Sequence, residues 1–130
     1  MKNFSLKPQL LDFLFRLGLS SFFLINSLTA WFSPDEFLEL LKSNSLVSAI
    51  ASPQFWVYVI GINDALLFLF ILLGLWRKGT ALWAALWLLA VIYTTISGGT
   101  LELIEHIGVL SLIIYFAFRQ PIAASKQNAI

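Results

Sequence analysis

Four apolar stretches, each about as long as a membrane is thick, constrain the fold of this chain more than any other feature. A helix needs about 20 apolar residues to cross the roughly 30 Å hydrocarbon core of a bilayer. The stretches cover residues 10–32, 54–76, 80–96 and 101–118. Only helices and closed barrels satisfy their own backbone groups in lipid, so stretches this long predict helices. We expect one integral-membrane domain over residues 1–130, an all-α antiparallel four-helix bundle.

Composition supports a membrane protein and excludes several other classes. Hydrophobic residues make up 59% of the chain and charged residues only 12%, whereas soluble domains have about 45–50% and about 25%. The eight Lys and Arg residues form no basic stripe, so we predict no nucleic-acid partner. The chain has no cysteine, which excludes disulfides, thiol redox chemistry and thiolate metal sites.

The segment between the first two stretches predicts a short amphipathic helix over residues 34–42. Ser33 is a suitable N-cap, Pro34 suits the first helical position, and Glu36 would complete a capping box. Apolar and acidic side chains alternate along the segment with helical spacing, so we expect it to lie on the outer surface of the bundle.

Basic residues outside the stretches predict the orientation, because cytoplasmic loops are enriched in Lys and Arg. Lys42 is alone on the side that carries the short helix. An even number of spans places the others together on the opposite side: Lys2, Lys7, Arg77, Lys78, Arg119 and Lys126. We therefore predict that both termini are cytoplasmic.

Asp64 lies inside the second apolar stretch, in the segment GINDALLFLF. A carboxylate at a helix centre costs about 3 kcal/mol on insertion scales, and each Leu, Ile or Phe that follows returns roughly 0.3–0.6 kcal/mol, so this helix is still predicted to insert. Ionisable residues in membranes face the bundle interior. Gly61, on the same face, would let a neighbouring helix approach. Asp64 either locks helices together by hydrogen bonding or contacts a proton or ligand.

The fourth stretch begins with TLELIEHIG, which places Glu105 and His106 near one end of the membrane. His106 either satisfies a structural hydrogen bond or relays a proton. One histidine beside carboxylates is a poor ligand set, so we predict no metal site. The expected polar intramembrane pocket consists of Asn26, Asn63, Asp64, Glu105 and His106.

Asp12 and Arg16 are four residues apart in the first stretch, the spacing of a helical ion pair. Arg16 also lies close enough to the start of the helix for its side chain to reach the inner headgroups. We therefore predict either a structural ion pair or an anchor at the inner surface.

Three segments resemble the DoxX/DoxD-like family of small four-helix membrane proteins: FRLGLSSFFLINSL, YVIGINDALLFLFILLGLWRKGTALWAALWLLAVIY and ELIEHIGVLSLIIYFAF. Family features are an Arg-x-Gly in the first helix, a Gly before an acidic residue in the second, a Gly-x-x-Arg exit and an alanine-rich third helix. The matching residues here are Arg16, Gly18, Gly61, Asp64, Gly74, Arg77, Ala81, Ala84 and Ala85. We expect Gly18, Gly61 and Gly74 to serve helix packing. Two departures are Asn26, where many members carry Gly or Lys, and the ending FAFRQP.

The resemblance implies a bacterial inner-membrane protein that acts as an accessory subunit of a quinone-linked redox system. Its polar pocket would receive a quinone headgroup, and its partners would be the lipid bilayer, oxidoreductase subunits and further copies of the chain. One histidine cannot supply two haem ligands, and no flavin or dinucleotide motif is evident, so we predict neither a cofactor held within the chain nor a stand-alone enzyme. The alternatives are a small proton-coupled transporter that uses Asp64 and a structural or assembly protein.

Overall fold

The computed structural model describes residues 7–96 and 100–119, and all regular structure in this part of the chain is helical. Four helices are long and apolar enough to cross a membrane, which confirms the all-α membrane bundle. The basic residues Lys2 and Lys126, used above to predict orientation, lie outside the described residues. The helices are α1 (Pro8–Phe32), α2 (Asp35–Ser43), α3 (Ser45–Ile50), α4 (Pro53–Leu73), α5 (Arg77–Thr95) and α6 (Thr100–Phe118).

The turn between α4 and α5 lies earlier than predicted. Gly74 ends α4 with a positive φ of 67°, a conformation that glycine adopts without steric cost. The Gly74 amide donates to the Ile71 carbonyl at 3.0 Å, and the Leu75 amide donates to the Phe70 carbonyl at 2.9 Å. The predicted second stretch, to residue 76, is therefore too long, and α5 begins at Arg77 rather than residue 80. Gly74 therefore forms a helix C-cap. It also serves packing, because a Cβ added there would stand 3.2 Å from Nη1 of Arg16 on α1.

The segment between α1 and α4 contains two short helices instead of one. The predicted capping box is wrong: Ser33 closes α1, with its amide donating to the Thr29 carbonyl at 2.9 Å, and Pro34 caps α2 without a side-chain bond. Helix α3 begins after Asn44, whose side-chain oxygen accepts from the Val47 amide at 3.2 Å. The short amphipathic helix itself is present as α2.

The bundle buries several polar groups within an apolar core and leaves many large apolar side chains exposed, the distribution that suits a lipid solvent. Helix α1 packs mainly against α4, α5 packs mainly against α6, and α2 lies on α4. All four long helices contribute to one apolar core: Leu19, Phe23, Leu67, Ile71, Ala81, Ala84, Leu88, Ile113 and Phe116. Buried with them are Asp12, Ser20, Ser27, Asp64, Thr80 and Thr95. Exposed leucine, isoleucine and phenylalanine side chains run along every long helix.

A hydrogen bond and an aromatic contact join α1 to α4 at Gly61. The Ser27 hydroxyl donates to the Gly61 carbonyl at 2.8 Å. A Cβ added at Gly61 would stand 2.7 Å from Cε2 of Trp31, so the missing side chain makes room for the indole. Gly18 differs: within the described chain, nothing lies within 4 Å of the corresponding position, and the prediction that Gly18 serves packing is wrong for contacts inside the monomer.

Gly61→Ala and Gly18→Ala form a matched pair that tests this difference. We expect Gly61→Ala to destabilise the protein by about 1–3 kcal/mol, because overpacking forces the indole of Trp31 to shift. Gly18→Ala is expected to be neutral or slightly stabilising, since alanine is the better helix former and the space is open. Unfolding in detergent measures both variants, and equal stabilities would contradict the close contact at Gly61.

Candidate functional site

A polar cleft of about 540 Å³ lies at the end of the bundle that α2 covers. Five of the six helices contribute to its walls: α1, α2, α4, α5 and α6. Eleven of its seventeen lining residues carry a polar group in the side chain: Asn26, Thr29, Glu36, Glu39, Asp64, Trp87, Thr94, Thr95, Glu102, Glu105 and His106. We call it the polar cleft.

Asp64 contributes a carboxyl group from α4 to the wall of the polar cleft and is only 2% exposed. The Asn63 amide nitrogen donates to Oδ1 of Asp64 at 3.0 Å, and the Asn63 oxygen accepts from the Trp83 indole at 2.9 Å. Asn26 and Trp87 also lie beside the carboxyl group, although among the described residues only Asn63 meets strict hydrogen-bond geometry. The chain from Trp83 through Asn63 therefore orients Asp64.

Four of the five residues of the predicted pocket line the polar cleft: Asn26, Asp64, Glu105 and His106. The fifth, Asn63, does not belong to the lining and acts on the cleft through its bond to Asp64. Sequence reasoning missed Trp83, because a tryptophan twenty positions away on another helix leaves no local signal.

One ring nitrogen of His106 forms a hydrogen bond within its own helix, α6. Its Nδ1 atom lies 2.6 Å from the Glu102 carbonyl oxygen. A carbonyl can only accept, so Nδ1 carries the hydrogen, and in the neutral ring Nε2 is an acceptor. The ring also packs edge-on against Phe22, with centroids 5.8 Å apart. The half-buried imidazole is thus held in place, and no described residue hydrogen-bonds to Nε2.

Acceptor groups dominate the polar cleft. Five carboxyl side chains line it, and none of the described Lys and Arg residues does. The sequence indicated Glu36 and Glu39 only as the polar face of an amphipathic helix, and the structure turns that face toward the cleft. The described residues contain no group of three or more His, Asp or Glu side chains placed to hold a metal ion.

An apolar groove of about 290 Å³ adjoins the polar cleft. Side chains of α2, α3, α4 and α5 form it, including Leu46, Ile50 and Tyr93. The residues that line both the apolar groove and the polar cleft are Leu41, Ile60, Trp87, Val91 and Thr94. The two spaces therefore share a wall, with polar groups on one side and apolar groups on the other.

Asp12 lies at the opposite end of the bundle, at the centre of what we call the arginine cluster: Asp12, Arg16, Arg77 and Arg119. Arg16 Nε donates to Oδ2 of Asp12 at 3.0 Å, and Arg77 Nη2 contacts both carboxylate oxygens at 2.8 and 3.0 Å. Arg119 Nε lies 3.6 Å from Oδ1. The cluster joins α1, α5 and the C-terminal end of α6.

The spacing of Asp12 and Arg16 predicted one of these ion pairs, and the structure has it. Arg16 also donates to the Leu72 carbonyl at the end of α4, so its half-buried guanidinium is engaged inside the bundle rather than extended as an anchor. The spacing rule covers a single helix, so it gave no indication that Arg77 and Arg119 meet the same carboxylate.

A bundle of four membrane-length helices around a polar cleft defines a small polytopic membrane protein. The family model described as DoxX matches residues 11–97, and the chain belongs to the DoxX family. No curated protein and no solved structure matches the chain.

Proposed function

We propose that this DoxX-family protein is an accessory subunit of a quinone-linked redox system in the bacterial inner membrane, and that the polar cleft receives the headgroup of the quinone pool. The observation that carries the proposal is the shared wall between the polar cleft and the apolar groove. An amphiphile with a polar ring and an apolar tail fits this arrangement, because small-molecule sites combine apolar walls with a few placed polar groups.

The chemistry of the cleft favours the reduced form of such a ligand. Carboxylate oxygens and Nε2 of His106 accept hydrogen bonds, and the two hydroxyls of a quinol donate them. A quinone ring offers only acceptors and would have to rely on the few donors present, such as Asn26 and Trp87. We therefore expect the quinol to bind more tightly than the quinone.

The orientation belongs to the same proposal. Lys and Arg concentrate at the end of the bundle that carries the arginine cluster, and we assign that end and both termini to the cytoplasm. The polar cleft then opens toward the periplasmic half of the membrane, where a partner subunit would meet α2.

Binding of a short-chain quinol to the purified protein in detergent tests the proposal. We expect His106→Phe to weaken quinol binding about tenfold, or 1.4 kcal/mol, because the ring retains its contact with Phe22 but loses the acceptor Nε2. Titration calorimetry measures the affinity of both forms. Equal affinity in the wild type and His106→Phe would contradict the assigned site.

A second pair of variants tests whether the apolar groove binds the tail of the quinol independently of its headgroup. Ala90 lines the apolar groove, and Ala90→Trp should fill it and weaken a tailed quinol while leaving a tailless ring analogue unaffected. Ala49→Trp on α3 is the matched control, because Ala49 is exposed and outside the groove lining. Loss of both ligands in Ala90→Trp would argue against a separate tail site.

A proton-coupled carrier is the second candidate, favoured by one observation: a buried carboxyl group of Asp64 that lines an open cleft. Ionisable residues in membranes commonly mark substrate or proton pathways. Proteoliposome flux that disappears in Asp64→Asn supports this candidate, whereas co-purification of a stable oxidoreductase from native membranes supports the accessory subunit. A structural or assembly role accounts for neither result.

A further inference from the structure

The arginine cluster carries more positive charge than Asp12 neutralises. Three guanidinium groups converge on one carboxylate, which leaves an excess of two positive charges. The chain has seven acidic side chains, all of which belong to the described residues, and only Asp12 forms an ion pair in that part of the chain. The missing counter-charge therefore does not come from another acidic side chain of the protein.

The carboxylate of Asp12 accepts three hydrogen bonds and has a third guanidinium beside it at 3.6 Å. An ionised carboxylate offers about four lone-pair positions. Arg77 uses both oxygens, Arg16 bonds to Oδ2, and Arg119 approaches Oδ1. Nη1 of Arg77 is buried and has no acceptor among the described residues. A buried donor without a partner is unfavourable, so the arrangement favours an additional acceptor.

Aromatic rings hold the guanidinium groups in place. Arg77 lies 5.1 Å from the ring centroid of Phe116, and Arg119 lies 5.8 Å from those of Phe15 and Tyr115. The three arginine side chains retain 13–18% of their surface exposed, so the cluster is accessible from its own end of the bundle. Arg119 has the longest contact with Asp12 and can turn toward a ligand with the least loss.

We propose that the arginine cluster binds a phosphate-type anion, supplied by the headgroup of an anionic lipid or by free phosphate. Guanidinium groups bind phosphate oxygens in paired, charge-assisted hydrogen bonds. The anion supplies the missing counter-charge, and it offers the acceptor that Nη1 of Arg77 lacks. This site is independent of the polar cleft and of the function proposed for it.

Binding measurements with two probes and a matched pair of variants test the site. The probes are inorganic phosphate, titrated against the protein in a neutral detergent, and nanodiscs of phosphatidylcholine with or without phosphatidylglycerol. Arg119→Gln should weaken binding about tenfold, or 1.4 kcal/mol, because it removes one guanidinium group that can bind phosphate through two hydrogen bonds. Lys78→Gln removes the same charge at an exposed position one residue beyond Arg77 and should change affinity by less than about twofold, because it is not part of the cluster.

Binding of phosphate alone identifies a free anion, binding that requires phosphatidylglycerol identifies a lipid headgroup, and binding of both confirms the shared phosphate chemistry. Equal losses in Arg119→Gln and Lys78→Gln would overturn the proposal in favour of general surface attraction, and so would the absence of binding to either probe. Arg119→Lys retains the positive charge but loses the paired hydrogen bonds of the guanidinium group. Its affinity should lie between those of the wild type and Arg119→Gln, and it replaces Arg119→Gln if that variant fails to fold.

Discussion

Asp12→Asn is expected to lower the free energy of unfolding by about 3–5 kcal/mol, the cost of leaving buried charges without their partner. The substitution keeps the size of the side chain but removes the only negative charge that the three arginines share. Those cations would then repel one another across α1, α5 and α6. Thermal or denaturant unfolding in detergent measures the loss.

Two further variants make this expectation specific. Asp35→Asn removes the same charge from an exposed position in the first turn of α2 and should cost no more than about 1 kcal/mol, the contribution of an acidic side chain at a helix N-terminus. Adding Arg77→Gln to Asp12→Asn should recover part of the loss, because one unpaired cation is removed, and the double-mutant cycle measures the coupling. If Asp12→Asn were as stable as Asp35→Asn, the arginine cluster would contribute little to the fold.

Asp64→Asn is expected to weaken quinol binding at least about tenfold, or 1.4 kcal/mol, without destabilising the protein. The new amide oxygen can still accept the bond from Asn63, and no charge has to be buried in the bundle. The ligand, however, loses a carboxylate acceptor at the wall of the polar cleft. Calorimetry with a short-chain quinol and unfolding in detergent measure the two effects separately.

Asp64→Leu is the informative comparison. Leucine cannot accept the bond from Asn63, so a half-buried amide loses its partner at a cost of about 1–3 kcal/mol. We therefore expect Asp64→Leu to lose both stability and binding, whereas Asp64→Asn loses only binding. Unchanged stability and unchanged binding in Asp64→Leu would remove Asp64 from both the site and the packing.

The inward position of Asp64 was predictable because it follows from a single helix. A charge within an apolar stretch must avoid lipid, and the bundle interior is the only alternative. The same reasoning succeeded for Asn26 and His106, which share the polar cleft with Asp64. The expectation for Gly18 came instead from the family motif, which names the residue but not the direction in which that part of α1 faces, and no described atom lies within 4 Å of the added Cβ there.

Residues on separate helices escaped prediction for the corresponding reason. Glu36 and Glu39 were recognisable as the polar face of α2, yet nothing in their spacing indicates which space that face covers. Arg77 comes directly after the second apolar stretch, where a charged residue is expected in a loop. In the structure it donates a hydrogen bond to Asp12, sixty-five positions earlier in the chain.

Four membrane-length helices and the inward position of Asp64 could both be predicted without a structure. Both results rest on hydropathy and helical periodicity, which are properties of short windows of sequence. Which polar groups come into contact is visible only in the folded bundle. Five carboxyl groups line one cleft at one end, and three arginines surround Asp12 at the other. These contacts between helices depend on how each helix is rotated about its axis and on which neighbour it packs against. Core packing across the whole bundle sets both.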